Sequence, residues 1–129
     1  MNRPDARELL EAARETLMNE VFPSVSEHLR YEVRMIASAM GIAAREAKMG
    51  ASVSQDEVAA YTEVLPETAA IDSTSLESAR QAMKDAIRAG SFDAPEQKQK
   101  QLQAVLQKVV LNALAISNPK VVPPPEGTR

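Results

Sequence analysis

Apolar positions recur at helical spacing through almost the whole chain, and polar punctuation separates the stretches cleanly. Leu9, Leu10, Ala13, Leu17 and Val21 fall on one face of a first helix. That helix opens on Asp5 with Glu8 three residues later, the form of a capping box, and Pro23 ends it. Ser24 and Glu27 repeat the box and open a long second helix. Its main stripe carries Leu29, Val33, Ile36, Ala37, Met40, Ala44 and Ala47. A second stripe, about 80° wide on the same wheel, carries Glu27, Arg30, Arg34, Ser38, Gly41, Arg45 and Lys48. Met35, Ala39 and Ile42 form a smaller apolar patch beyond it. A helix that is apolar on two sides, with arginines between, is expected to be flanked by neighbours.

Gly50 is placed to stop the second helix in a left-handed C′ position. Ser54 and Glu57 make a third box, opening a short helix through Val58, Tyr61 and Val64 before Pro66. Residues 66–74 read as a loop by composition, ending in Asp72-Ser73-Thr74-Ser75. A further helix aligns Leu76, Ala79, Met83, Ala86 and Ile87 and is closed by Gly90. Asp93-Ala94-Pro95-Glu96 is the start signal of the last helix, which runs to about Ser117 and is limited by Pro119. Leu102, Val105, Leu106, Val109, Val110, Ala113, Leu114 and Ile116 cover about half its circumference. The expectation is an all-α, mostly antiparallel helical bundle of four main helices plus one short helix. It forms a single domain over residues 1–118, with a Pro-rich C-terminal tail over 119–129.

Composition narrows the function classes. Of 129 residues, 44% are apolar but only 3% aromatic, so the core is built from Ala, Leu, Val, Ile and Met, which favours close-packed helices over sheet. The net charge of -3 argues against a nucleic-acid binder, which needs clustered cations. There is no cysteine, which excludes disulfides, thiolate catalysis and Cys-ligated metal. No apolar run approaches the ~20 residues of a bilayer span. The N-terminus leads straight into charged helix with no signal core, so the cytoplasm is the expected compartment.

Three segments resemble a bacterial family of small helical proteins catalogued as a domain of unknown function. They are Arg3-Pro4-Asp5-Ala6-Arg7-Glu8-Leu9-Leu10, the stretch from Leu29-Arg30-Tyr31-Glu32-Val33-Arg34-Met35 to Arg45-Glu46, and Ile87-Arg88-Ala89-Gly90-Ser91-Phe92-Asp93. This chain has Ser38-Ala39-Met40-Gly41 where the family pattern has an Asn-Ala-Leu-Ala type sequence, so no role that needs an amide at Ser38 carries over. Members are often encoded beside acyl-CoA dehydrogenases and aminoglycoside-phosphotransferase-like kinases. The resemblance therefore implies a protein partner of one of those kinds, and no part of its pattern is catalytic.

The arginine stripe is the main candidate site. Arg30, Arg34 and Arg45 lie within about 60° on the wheel, and Tyr31 adds a hydroxyl at the edge. They suit an anion, such as a phosphate or a partner's carboxylate. The first expectation, however, is that they pair with acids on neighbouring helices, such as Glu11, Glu15 or Glu46. Glu8, Glu11, Glu15 and Glu20 are expected to solvate the first helix and pair with Arg7 and Arg14. His28, the single histidine, falls in the first turn of the second helix away from its apolar stripe and is expected at the surface. One histidine cannot supply the Glu-x-x-His pairs of a di-metal bundle, so no metal and no cofactor are expected. No phosphate loop or nucleophile elbow is present.

The expected role is thus a non-catalytic accessory or interaction protein. A small ligand-binding protein or enzyme, holding an acyl or phosphate group at Arg30, Tyr31, Arg34 and Arg45, is the alternative. A homodimer through the last helix, with Leu111 facing outward, is a further one.

Overall fold

The computed structural model describes residues 3–67, 69 and 75–123. All regular structure among them is helical: α1 (Ala6–Thr16), α2 (Arg30–Val64), α3 (Leu76–Arg88) and α4 (Glu96–Ser117), with a π turn and two 3-10 turns between α1 and α2 and a 3-10 turn after α4. The fold class is therefore the expected one. The loop signal at Asp72-Ser73-Thr74 and the tail beyond Pro123 lie outside the described residues.

Two closures form where the sequence places them, at Asp5 and Gly90, and Ser75 adds a cap to α3. The Asp5 carboxylate accepts from the Glu8 amide at 2.8 Å. The Ser75 hydroxyl accepts from the Ser78 amide at 3.1 Å. Gly90 takes φ +81°, and the amides of Gly90 and Ser91 return to the carbonyls of Ile87 and Ala86 at 3.1 and 3.0 Å, a complete Schellman closure of α3.

Two other readings are corrected. Gly50 lies inside α2, which runs on as one helix of 35 residues. The segment expected as a separate short helix is the C-terminal part of α2. No described residue other than Gly90 has positive φ, and Ala51, Ser52 and Val53 after Gly50 are able to continue the i→i−4 ladder. Ser24 likewise does not open α2. It ends a 3-10 turn (Phe22–Ser24), and a second one (Glu27–Leu29) leads into Arg30. Pro23 sits within the first of these turns, where its missing amide costs nothing.

The chain divides into two compact units. One takes Met1–Gly50 and Ile116–Asn118. In it α1 contributes no buried residue, and the buried side chains are Val33, Ala37, Ala44 and Ile116. The other takes Ala51–Ala115 and Pro119–Arg129. Its core gathers Tyr61, Leu65, Ala79, Met83, Ala86 and Phe92, with Leu102, Val105 and Val109 of α4 packed against them. Small residues at Ala79 and Ala86 let α3 approach closely, so two of the chain's four aromatic side chains suffice to fill this core.

Candidate functional site

The four residues singled out by sequence all lie on α2 in the first unit, and the fold gives them separate environments. α1 is followed by a π turn (Leu17–Val21), closed by the Phe22 amide on the Leu17 carbonyl, which inserts one extra residue before Phe22. The Phe22 ring then lies under two arginines, with the guanidinium carbons of Arg30 and Arg34 at 5.8 and 5.0 Å from its centroid. Both distances fall within cation–π range. Tyr31 is 68% exposed and sits one turn before Met35, which is 53% exposed. Ala39 continues that row and is also exposed. The expectation that both apolar sides of this helix are covered is therefore corrected. Val33, Ala37 and Ala44 are buried, whereas Tyr31, Met35 and Ala39 face outward.

Arg45 is turned to a different task. Its Nε donates to the Ile116 carbonyl at 2.7 Å, one of the last-turn carbonyls of α4 that no later amide of the helix reaches. Arg14 of α1 donates its Nε to the Ala37 carbonyl at 3.0 Å. The two side chains converge on Gly41. A Cβ there would stand 3.4 Å from Arg45 Nη1 and 3.6 Å from Arg14 Nε. Among the described residues neither guanidinium is paired with an acid. Arg7 does pair with Glu11, at 3.5 Å, but Arg14, expected to do likewise, instead pins α1 to the backbone of α2. A guanidinium's planar fork reaches a carbonyl across a helix groove where a solvated salt bridge would hold little.

His28 is exposed in the second 3-10 turn. Among the described residues no three acidic or histidine side chains cluster as metal ligands would. No helix among them is long and apolar enough to cross a membrane. On α4, Leu111 is half-buried; the outward apolar side chains are Leu106 and Val110.

The cluster with the most perturbed electrostatics is one the sequence reading passed over. Glu57, 7% exposed, accepts from Arg80 Nε at 2.7 Å and Nη2 at 2.9 Å, and the Tyr61 phenol, one turn on along α2, interacts with the same carboxylate. The Arg80 hydrogen bond holds the Glu57 carboxyl below the usual carboxylate range, although burial pushes the other way. Burial, then the bond to Glu57, pushes the Tyr61 phenol up to about 12. The Glu57–Arg80 pair ties α3 to α2. One signal was legible: Glu57, Tyr61 and Leu65 are spaced i, i+4, i+8, which places a carboxylate on the apolar face. Its partner, 23 residues on, was not.

No curated protein and no solved structure matches the chain. The family model described as Domain of unknown function (DUF6285) matches residues 23–121, from the turn that carries Phe22's neighbours to the end of the turn after α4. The chain belongs to that family.

Proposed function

We propose that this chain is a non-catalytic interaction protein that docks a larger protein through the exposed row Tyr31, Met35 and Ala39 of α2, with Arg30 and Arg34 as the polar rim. The observation that carries the reading is the exposure of large apolar side chains in the first unit. Tyr31 and Met35 are 68% and 53% exposed on one row of α2 with Ala39 exposed beyond them, and α1 contributes no buried residue. Helical proteins that act alone rarely leave so much of an amphipathic face wet, and large exposed patches mark interaction sites. An aromatic and a methionine inside a rim of arginines is also the composition favoured at protein interfaces. The partner class is the one implied by the family resemblance, an acyl-CoA dehydrogenase or an aminoglycoside-phosphotransferase-like kinase. Arg45, committed to the Ile116 carbonyl, serves the fold of the unit in this reading.

Native mass spectrometry on the chain isolated gently from its own host tests the proposal. The expected result is a co-eluting larger subunit of one of those two classes that is lost from Met35→Glu, while the circular-dichroism melt of that variant is unchanged. A chain that elutes alone, or a partner retained by Met35→Glu, overturns it.

A further inference from the structure

We propose that a groove on the second unit binds an amphipathic anion, an apolar body carrying one carboxylate or phosphate head. The groove encloses about 380 Å3, inside the ~300–1,000 Å3 range of small-molecule sites. Its apolar wall is made by Met83 and Ile87 of α3, Leu106 of α4 and the ring of Tyr61. Met83 and Tyr61 are buried at its base, whereas Ile87 and Leu106 remain 42% and 39% exposed at its mouth. Ile87 and Leu106 are thus left open to solvent by the packing of the described residues.

The same helix, α3, also gives the groove a cationic row. Arg80, Lys84 and Arg88 form it at i, i+4 and i+8, about 12 Å long on the helix rise. Arg80 is met by Glu57. Among the described residues Lys84 and Arg88 meet no carboxylate, and Asp85, beside them in sequence, accepts instead from Gln81 at 2.9 Å. Arg88 stands in the last turn of α3, where a cation offsets the helix dipole. Lys84 has no such use. It stands one turn from a like charge on either side, an arrangement that costs helix stability.

Charge and wall together select the ligand. A bare inorganic anion would leave Ile87 and Leu106 in water, and an uncharged lipid would leave Lys84 between two cations. An anion with an apolar body relieves both at once. The site is separate from the docking surface proposed for the first unit and does not depend on it.

Decanoate titrated into the full chain, followed at isoleucine and leucine methyl resonances, tests the site, with decanol as the uncharged control. The Ile87 and Leu106 methyls are expected to shift saturably with decanoate. Affinity should fall about tenfold or more for decanol and for Lys84→Glu, the loss expected when a charge-assisted contact goes. Lys84→Ala, which keeps helix propensity, is expected to lose affinity in the same direction and guards against a variant that fails to fold. Equal binding of decanol and decanoate, undiminished binding by folded Lys84→Ala, or shifts centred on Leu9 and Ile36 would each overturn the proposal.

Discussion

Arg80 meets Glu57 fork to fork, Nε on Oε2 at 2.7 Å and Nη2 on Oε1 at 2.9 Å, with the carboxylate buried and the arginine side chain 59% exposed. The asymmetry in exposure decides what each deletion costs. Arg80→Ala leaves a buried carboxylate without the guanidinium that donates to both its oxygens, an unfavourable state for an ionised group. The loss is expected at about 1–3 kcal/mol in urea denaturation at neutral pH, below the fully buried case because solvent reaches Arg80. Arg80→Lys should recover only part of it, since an ammonium cannot donate two parallel bonds. An Arg80→Ala loss below about 0.5 kcal/mol, the scale of a surface substitution, would show that the pair holds nothing together.

The same pair makes stability depend on acid. Glu57 is held below its ordinary value of 4.5, so the unfolded chain takes up its proton first as pH falls. Its contribution is complete above 4.5 and is lost as pH drops through the lower folded value. Denaturation of the wild type and Glu57→Gln at a series of pH values checks this. The gap between them should be widest at neutral pH and close in acid. A gap independent of pH would contradict the assignment.

Tyr61 gives the alkaline counterpart. Its phenol is raised from 10.0 to about 12 in the fold, so its contribution is complete below pH 10 and declines between 10 and 12. Tyrosinate absorbance in a Tyr31→Phe background isolates Tyr61, and its titration should complete only as the chain unfolds.

Two glycines should respond in opposite senses. Gly50 is helical, and the only crowding a Cβ would meet is the far end of the Glu46 side chain, at 2.5 Å, which can swing away. Gly50→Ala is expected to stabilise by up to about 1 kcal/mol on helix propensity. Gly90 holds φ +81°, so Gly90→Ala should destabilise by about 1–2 kcal/mol. Thermal melts of the two variants decide it; a destabilised Gly50→Ala would mean that α2 stops there after all.

These glycines also show where the sequence is sufficient and where it is not. Both carry the same local signal, a glycine after a run of helix formers. Gly90 is followed by Ser91, Phe92, Asp93, Ala94 and Pro95, which cannot extend α3, and its role as a terminator is legible. After Gly50, Ala51 onward can remain helical, and the ladder runs on to Val64. Helix propensity weighs such a choice by less than a kilocalorie per residue, too little to settle it alone. The burial of Tyr61 and Leu65 in the second core, against Ala79 and Met83, supplies what local preference does not.

The class of the fold, the cap at Asp5, the closure at Gly90 and the amphipathic faces are legible along the chain, because each rests on residues within a turn of one another. The sequence also places Arg30, Tyr31, Arg34 and Arg45 on one helix. What those side chains touch is set by packing between distant segments: Phe22 for two arginines, the Ile116 carbonyl for Arg45, water for Tyr31. Periodicity fixes which way a side chain leaves its own helix, whereas the partner it meets comes from a segment 8 to 71 residues away, and no local preference carries that distance.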